Sequence, residues 1–423
     1  MTSRERVEMA IEHREPDHVP LDLGASAVTG MQVDTVYQLR QTLHLDPPDT
    51  PVKVTEPYQM LGEIKPDLME ALGVDVVGLG KPATMFGFRN EGWKPWTTFE
   101  GTPVLVPEGF NTEPDENGDI LMYPEGDKSV PPSGRMPKGG FYFDSIVRQP
   151  PIDENTLSVE DNLEEFGPIA GRDLEHFRRE AERLYTKTDK AILANFGGTA
   201  FADIALVPAP WLKHPKGIRD IEEWYISTVT RRDHVYKIFE RQCEIGISNL
   251  EKIFAAVGNR VTAVFVSGTD FGQQNGPFIS PKSYQDLFKP FHREVNNWIH
   301  KNTRWKCFIH SCGSVRALLP DFVDAGFDII NPVQCSAAGM GPEELKKEFG
   351  GRVTFWGGGV DTQRTLPFGT PEEVRQEVCS RLKIFGRSGG YVFNTTHNVQ
   401  ARVPAGNVLA MYEAVRECGQ YPL

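Results

Sequence analysis

The residues best suited to chemistry in this sequence lie in the segment FIHSCGSV, residues 308–315. His310 and Cys312 are two positions apart at the end of an apolar run, so in a β-strand their side chains point to the same side. Imidazole and thiolate are good ligands for zinc. The spacing therefore predicts half of a zinc site, and the alternative is a core histidine beside a buried thiol. Cys307 has the opposite parity and is expected to be structural.

A third ligand must come from another part of the chain, and His397 is the best placed of the remaining histidines. It directly follows the apolar run GYVFNTT. With His310 and Cys312 it would form a site whose fourth position is open, as in catalytic zinc sites. Cys335 also follows an apolar run and is the alternative third ligand. The histidines in or near helical stretches, where packing or solvated roles are expected, are His13, His18, His292 and His300.

Carboxylates and amides gather where other apolar runs end. Asp270 follows VFVSGT and Asp361 follows FWGGGV, and from there a carboxylate can orient a ligand histidine or transfer a proton. We predict catalytic roles for both, with a helix cap or a loop salt bridge as the alternative. Asp22 and Gln363 have similar positions. The amides predicted to bind a neutral polar substrate are Asn331, Gln334 and Asn394.

Short strands must position these residues. From about residue 160 onward, β-branched or aromatic runs alternate with amphipathic stretches, which is typical of βα units around a parallel sheet. Eight such strands favour a closed (β/α)8 barrel over an open doubly wound sheet, with the site at the C-terminal ends of the strands. The predicted strands are 19–23, 74–80, 191–197, 262–268, 305–311, 327–333, 352–358 and 390–396.

Two helix starts are marked by capping residues. The segment TPEE at 370–373 supplies an N-cap threonine, a proline and a glutamate, and predicts a helix through about Phe385. Ser280 and the proline after it begin another helix, whose apolar residues form one stripe. That stripe is expected to pack on the outside of the barrel.

Residues 85–150 interrupt the alternation with turn formers and short strand candidates. We predict a β-rich excursion inserted after the second strand, so that residues 1–84 and 151–423 form the barrel. A hairpin between 100–110 and 118–126 is expected to cover one end of the barrel as a lid or a partner-facing platform. An ordered surface excursion without function is the alternative.

Composition excludes several classes of protein. The 423 residues carry 45 Lys and Arg against 58 Asp and Glu, a net charge of −13, which disfavours nonspecific binding to nucleic acid or anionic lipid. The start lacks a signal-peptide core and no apolar run reaches the roughly 18 residues of a membrane span, so a cytoplasmic location is expected. The six cysteines are sparse, which predicts reduced thiols.

Several segments, in order along nearly the whole chain outside 85–150, resemble the uroporphyrinogen decarboxylase superfamily. That superfamily contains true decarboxylases and corrinoid-linked methyltransferases. The decarboxylases carry an arginine-containing segment after the first strand, whereas the corresponding LGASAVTGM lacks arginine. The segments that carry the resemblance are RERVEMAIEHREPDHVPLD, ISPKSYQDLFKPFHREVNNWIH, HSCGSV, NPVQ, WGGGVDTQ with TPEEV, and GGYVFNTTHNVQARVPAGNV.

The resemblance implies a zinc-dependent methyltransferase. Its zinc-binding H-x-C pair carries onto His310 and Cys312, and His397 stands where thiol-methylating members have their last cysteine ligand. Such an enzyme moves a methyl group between a corrinoid and a small methylated substrate, with O-methyl favoured, or a thiol. The chain has no D-x-H-x-x-G signature, so the corrinoid is expected on a separate protein. A decarboxylase of a porphyrin or another polycarboxylate, a non-catalytic barrel that binds a partner protein, and a homodimer stay open.

Overall fold

The structure is a computed structural model that describes residues 1–197 and 206–423. The strands, in chain order, are β1 (Val52–Glu56), β2 (Leu61–Gly62), β3 (Val76–Gly80), β4 (Lys94–Thr97), β5 (Pro103–Val106), β6 (Ile120–Met122), β7 (Gly134–Met136), β8 (Asp144–Ser145), β9 (Ala191–Asn195), β10 (Ala263–Ser267), β11 (Gly272–Gln273), β12 (Gly276–Pro277), β13 (Lys306–His310), β14 (Ile329–Asn331), β15 (Thr354–Trp356) and β16 (Tyr391–Val392).

The α-helices follow the same order. They are α1 (Ser3–Ile11), α2 (Val33–Thr42), α3 (Pro66–Leu72), α4 (Gly171–Lys187), α5 (Ile221–Thr230), α6 (Arg232–Val257), α7 (Pro281–Leu287), α8 (Lys289–Asn302), α9 (Leu319–Asp324), α10 (Pro342–Phe349), α11 (Thr365–Phe368), α12 (Pro371–Phe385) and α13 (Ala405–Cys418).

Seven strands form one sheet in the order β16-β15-β14-β13-β10-β9-β3, and every neighbouring pair is parallel. These are the second to eighth strands predicted from the sequence, in chain order, so those seven predictions are confirmed. Helices lie between most consecutive strands, and strands such as β10 are buried along their whole length, as expected for a parallel sheet covered on both faces.

The first predicted strand is reduced to a single bridge. Leu21 pairs in parallel with Phe393, just beyond β16, and the Leu21 carbonyl accepts a hydrogen bond of 2.8 Å from the backbone of Asp75, just before β3. A regular strand is not formed here because Pro20 has no N–H to donate. The segment nevertheless lies between the two edge strands, so the sheet is curled in the manner of a (β/α)8 barrel.

The interior of the curled sheet holds a small apolar cluster of its own. Phe265, Phe308 and Trp356 belong to it, whereas their neighbours along each strand pack against the surrounding helices. α1 lies at the starting ends of the strands, where the carbonyl of its residue Ala10 accepts a hydrogen bond of 2.7 Å from the backbone of Gly390. The alternation of side chains therefore separates an inner core from an outer one.

The two capping predictions have different outcomes. The Thr370 side chain accepts a hydrogen bond from the backbone of Glu373 and the Glu373 side chain accepts one from the backbone of Thr370, which confirms the capping box of α12. Ser280 caps α7 as predicted, but the helix is divided at Phe288, where α8 begins immediately. The predicted apolar residues are buried in both halves.

The predicted hairpin between 100–110 and 118–126 is wrong. β5 pairs with β4 on one side and with β1 on the other, while β6 pairs with β7. The reason is nonlocal, because β1 precedes β3 in the chain and supplies a parallel partner for β5. Two small sheets result, β2-β1-β5-β4 and β6-β7-β8. The division of the chain at 85 and 150 stays a prediction.

The prediction that all six cysteines are reduced is also wrong for one pair. Cys379 on α12 and Cys418 at the end of α13 form a disulfide, with Cα atoms 5.4 Å apart. The helices α12 and α13 pack closely together, which brings the two positions together across 39 residues of chain. Cys243, Cys307, Cys312 and Cys335 are free thiols. Within residues 1–197 and 206–423, no helix combines the length and the apolar composition needed to cross a lipid bilayer.

The disulfide predicts a simple thiol count. Protein unfolded in guanidinium without a reductant should expose four reactive thiols, because four cysteines are free and two are joined. After reduction the count should rise to six, the number of cysteines in the sequence. The measurement is a titration with a chromogenic thiol reagent. A count of six before reduction would contradict the Cys379–Cys418 bond, and the variant Cys379→Ser should expose five.

Candidate metal centre

β13 and the loop after β16 bring the three predicted ligands together. Cys312 follows β13 by two positions, and its Sγ lies 3.4 Å from Nε2 of His310, the last residue of the strand. The ring of His397 stands nearly perpendicular to that of His310, with 5.6 Å between the centroids. One ligand atom from each residue lies within 4.8 Å of the others, which is the spacing of side chains that can share a metal ion.

The orientation of His310 is set by Asn331 on the neighbouring strand. Nδ1 of His310 lies 2.6 Å from Oδ1 of Asn331, and Nδ2 of Asn331 donates a hydrogen bond of 2.8 Å to the carbonyl oxygen of Trp356. Because the amide donates through Nδ2, its Oδ1 must accept from Nδ1–H of the imidazole. This places the lone pair of His310 on Nε2, the atom that faces Cys312.

The carboxylate of Asp270 holds the start of the loop that carries Cys312. Its Oδ1 accepts a hydrogen bond of 2.6 Å from the backbone N–H of Cys312 and lies 3.8 Å from Nε2 of His310. The backbone carbonyl of Asp270 accepts a hydrogen bond of 2.5 Å from the hydroxyl of Tyr225. Asp270 is therefore beside the ligand cluster, where it both shapes the loop and offers a negative charge.

Burial sets the protonation states of the cluster. It lowers the pKa of His397 to about 3, with a further contribution from the nearby His310, so the His397 imidazole is neutral near pH 7 and can donate a lone pair. Burial and the charge of Asp270 raise the pKa of the Cys312 thiol well above its usual range. A bound cation would reverse that shift, since a coordinating thiol loses its proton. The donor set of two imidazoles and one thiol fits zinc.

Two glycines let the loops that carry Asp270 and Cys312 touch. Gly313 has a left-handed φ of 81°, and a Cβ on it would come within 2.4 Å of the backbone of Gly272. The side chain of Gln334 secures the same turn, because its Oε1 accepts a hydrogen bond of 2.9 Å from the backbone of Gly313. The structure thus gives Gln334, predicted to bind substrate, a contact that shapes the site.

The other predicted residues lie in different surroundings. Oδ1 of Asp361 accepts hydrogen bonds from the backbones of Gln363 and Arg364, so its carboxylate caps the turn before α11. Asn394 is buried and donates through Nδ2 to the carbonyl oxygen of Asp22, at 2.9 Å, while its Oδ1 has no hydrogen-bond partner among the described residues. The predicted catalytic role of Asp361 and the predicted substrate contact of Asn394 stay predictions.

The sequence did not reveal the structural contacts of two further residues, Asn331 and Asp22. Asn331 was predicted to contact substrate, but its full burial and its two hydrogen bonds favour a positioning role. Its signal was present in the strand register, because Asn331 stands opposite His310. Asp22 is also buried, and its Oδ2 accepts a hydrogen bond of 2.9 Å from Nε1 of Trp356. Burial raises the pKa of Asp22 to about 7.

Two other free cysteines, Cys335 and Cys307, are not members of the cluster. The pKa of Cys335 is raised by burial to about 11, and its Sγ lies 4.0 Å from the carbonyl oxygen of Gly358. Cys307 is fully buried near His300 and Asp328, but these two form a hydrogen bond of 2.8 Å with each other. That contact and the burial of Cys307 in the outer core favour a structural role for the group.

Comparisons with known proteins point to one family. The family model named uroporphyrinogen decarboxylase (URO-D) matches residues 200–418, just over half of the chain. Uroporphyrinogen decarboxylase from Chlorobium phaeobacteroides is 26% identical over 194 residues, which covers 43% of this chain and 51% of that protein. The protein of the same name from Psychromonas ingrahamii is 36% identical over 72 residues, which covers 17% of this chain and 20% of that protein.

A solved structure extends the similarity to the whole fold. A methyltransferase from Methanosarcina mazei matches 99% of this chain and 99% of its own, with a TM-score of 0.53 and 15% sequence identity. At that identity the match establishes a common fold. The chain spans about half the length of the Chlorobium relative that it matches.

The contact between Asn331 and His310 predicts a measurable effect on metal affinity. Asn331→Leu removes the acceptor of Nδ1–H, and loss of such an outer partner weakens metal binding by about 10- to 100-fold. Zinc affinity is measured by competition with a chromophoric chelator. Gln363→Leu, which alters an exposed amide of a neighbouring loop, should stay close to wild type. Equal affinity in Asn331→Leu and wild type would rule out the positioning role.

Proposed function

The chain belongs to the uroporphyrinogen decarboxylase family, and within that family we propose that it is a zinc-dependent methyltransferase which exchanges a methyl group with a corrinoid on a partner protein. The observation that carries the proposal is the cluster of His310, Cys312 and His397, whose ligand atoms lie within 4.8 Å of one another. The fold shared with the Methanosarcina methyltransferase supports it. The decarboxylase relatives supply the family but leave this cluster unexplained.

His310, Cys312 and His397 would hold the zinc, with a fourth position open to substrate. Bound there, zinc supplies a positive charge that can hold a thiol as thiolate or withdraw electrons from an ether or alcohol oxygen. A site with two imidazoles and one thiolate would leave more net positive charge on the zinc than a site with one imidazole and two thiolates. We therefore favour an O-methyl compound over a thiol as the small substrate.

Other residues of the chain orient the metal ligands and would hold the proton of the reaction. Asn331 holds His310 in the tautomer that presents Nε2, and Gln334 fixes the turn after Cys312. Removing a methyl group from oxygen leaves an alkoxide that must gain a proton. Asp270 is the carboxylate beside the cluster, 3.8 Å from Nε2 of His310, and we assign to it the holding of that proton.

The small sheet β2-β1-β5-β4, here called the accessory sheet, is proposed to help close the end of the curled sheet that carries the metal cluster. Gln59, in the turn between β1 and β2, donates through Nε2 to the carbonyl oxygen of Ala27 and accepts through Oε1 from Nδ2 of Asn398, at 2.7 Å. Asn398 directly follows His397, so the accessory sheet is tied to the loop that carries the third ligand. We propose that the curled sheet is a complete (β/α)8 barrel, and that this β-rich part excludes water from its mouth.

Decarboxylation of a porphyrin or another polycarboxylate is the second candidate, favoured by the names of the curated relatives. It requires free cations to bind several carboxylates. The loops that carry Asp270, Cys312 and His397 contribute Arg316 and Arg402, but each is already paired, with Glu348 and Glu100 respectively. The loop after the first predicted strand, residues 24–31, contains no lysine or arginine. The methyltransferase proposal therefore accounts for more of the site.

Loss of the thiol ligand tests the proposal. Wild-type protein purified without added metal should contain about one zinc per chain, and Cys312→Ala should lose most of it. Zinc-dependent change in the cobalamin spectrum is measured with reduced cobalamin plus methoxylated compounds, and with methylcobalamin plus thiols. In Cys312→Ala the rate should fall by at least about 100-fold, the upper end of what loss of an outer partner costs.

Cys335→Ala is the matched control, because it removes a second free thiol of the same sheet edge that lies outside the cluster. It should retain zinc and activity. Full zinc content in Cys312→Ala would refute the ligand assignment. Release of carbon dioxide from a porphyrin or another polycarboxylate, with no zinc-dependent cobalamin reaction across both panels, would favour the decarboxylase instead.

A further inference from the structure

A cavity of about 710 Å³ lies on the opposite end of the curled sheet from the metal cluster. Its walls come from the end of α10, the turn at Gly350 and Gly351 before β15, and the turn at Arg387 and Ser388 before β16. These turns precede their strands, whereas His310 ends β13. The cavity is therefore separate from the site to which the proposed reaction is assigned.

Three cations line this cavity without an acidic partner. Lys346, Lys347 and Arg387 all contribute to the wall, and none makes an ion pair with a carboxylate among residues 1–197 and 206–423. Two arginines elsewhere on the neighbouring elements, Arg316 and Arg381, do have carboxylate partners. The cavity is thus a local concentration of positive charge on an acidic protein.

Lys346 is held beside the turn that carries Arg387. Its Nζ donates a hydrogen bond of 2.6 Å to the carbonyl oxygen of Gly389, which holds the ammonium group against the turn that carries Arg387. Burial and the charge of Arg387 lower the pKa of Lys346 to about 8. Two cations held this closely repel each other, and an anion between them would relieve the repulsion.

His13 and Ser388 supply further polar groups. His13 lines the cavity beside the turn at Gly350. Ser388 places a hydroxyl at the exposed rim, while its backbone N–H donates to Glu15 at 3.0 Å. Neutral donors beside cations are the usual complement of a phosphate group, which offers several acceptor oxygens.

The lining also carries acidic groups. These are Glu343 and Glu344, in the first turn of α10. They would repel an anion there but accept hydrogen bonds from hydroxyl groups. Because the volume far exceeds that of a single phosphate ion and the lining carries both cations and hydrogen-bond acceptors, the cavity suits a molecule that has an anionic group and hydroxyl groups.

We propose that this cavity is a second ligand site, which binds a hydroxylated phosphomonoester with its phosphate against Lys346, Lys347 and Arg387 and its hydroxyl groups toward Glu343. The assignment rests on the cavity and its charges and is independent of the proposed methyltransferase activity. Because the cavity lies at the opposite end of the strands from the metal cluster, we assign to it ligand binding and no part in the reaction.

Calorimetric titration of the full chain with glucose 6-phosphate, inorganic phosphate, citrate and glucose tests the proposal. Glucose 6-phosphate should bind at millimolar concentration or better, more tightly than inorganic phosphate, and glucose should not bind. Lys346→Met and Arg387→Met should each weaken binding by roughly tenfold or more, since each removes a charge-assisted contact. Tighter binding of citrate than of the phosphomonoester would overturn the phosphate assignment.

Matched variants separate binding from folding. Lys346→Arg keeps the cation and should bind within a few fold of wild type, and Lys383→Met removes an exposed lysine of α12 outside the cavity and should bind equally well. Cys312→Ala should bind normally, which distinguishes failure of this site from failure of the metal centre. Absence of binding by every probe, or equal binding by wild type, Lys346→Met and Arg387→Met, would overturn the proposal.

Discussion

The hydrogen bond between Nδ1 of His310 and Oδ1 of Asn331 is the contact on which the candidate metal centre depends. It exists because β13 and β14 pair in parallel with His310 opposite Asn331. Trp356 on β15 continues the chain of contacts, since its carbonyl oxygen fixes the amide. Three neighbouring strands thus determine the orientation of one imidazole. A register slip of one residue would turn Asn331 to the other face of the sheet and leave Nδ1–H without its acceptor.

The surroundings of the cluster explain why these side chains suit a metal better than a proton. A half-buried imidazole and a half-buried thiol are both held neutral by desolvation, as the shifted pKa values of His397 and Cys312 indicate. Neutral donors converging within 4.8 Å leave lone pairs facing a common space. His310, Cys312 and His397 would give a divalent cation three ligands there, and the cation would favour the thiolate form of Cys312.

The sequence could predict what depends on local periodicity and could not predict what depends on partners distant in the chain. Strand parity placed His310 and Cys312 on one side, and seven strand positions followed from short apolar runs. The pairing of β1 with β5 and the Cys379–Cys418 disulfide join segments that no local pattern relates. The role of Asn331 could not be predicted for a related reason. An amide at a strand end can face either the substrate or a neighbouring strand, and the register between strands decides which of the two it faces.

The same curled sheet that organises the metal cluster also separates it from the cationic cavity. Parallel strands all end on one side, so the residues that follow them gather there, and the turns that precede β15 and β16 gather on the other side. Between the two lies the inner apolar cluster, to which Phe265, Phe308 and Trp356 belong. β15 joins the two ends over a short stretch of chain, because it begins three residues after Gly351 and ends at Trp356, whose carbonyl oxygen accepts the hydrogen bond that holds Asn331.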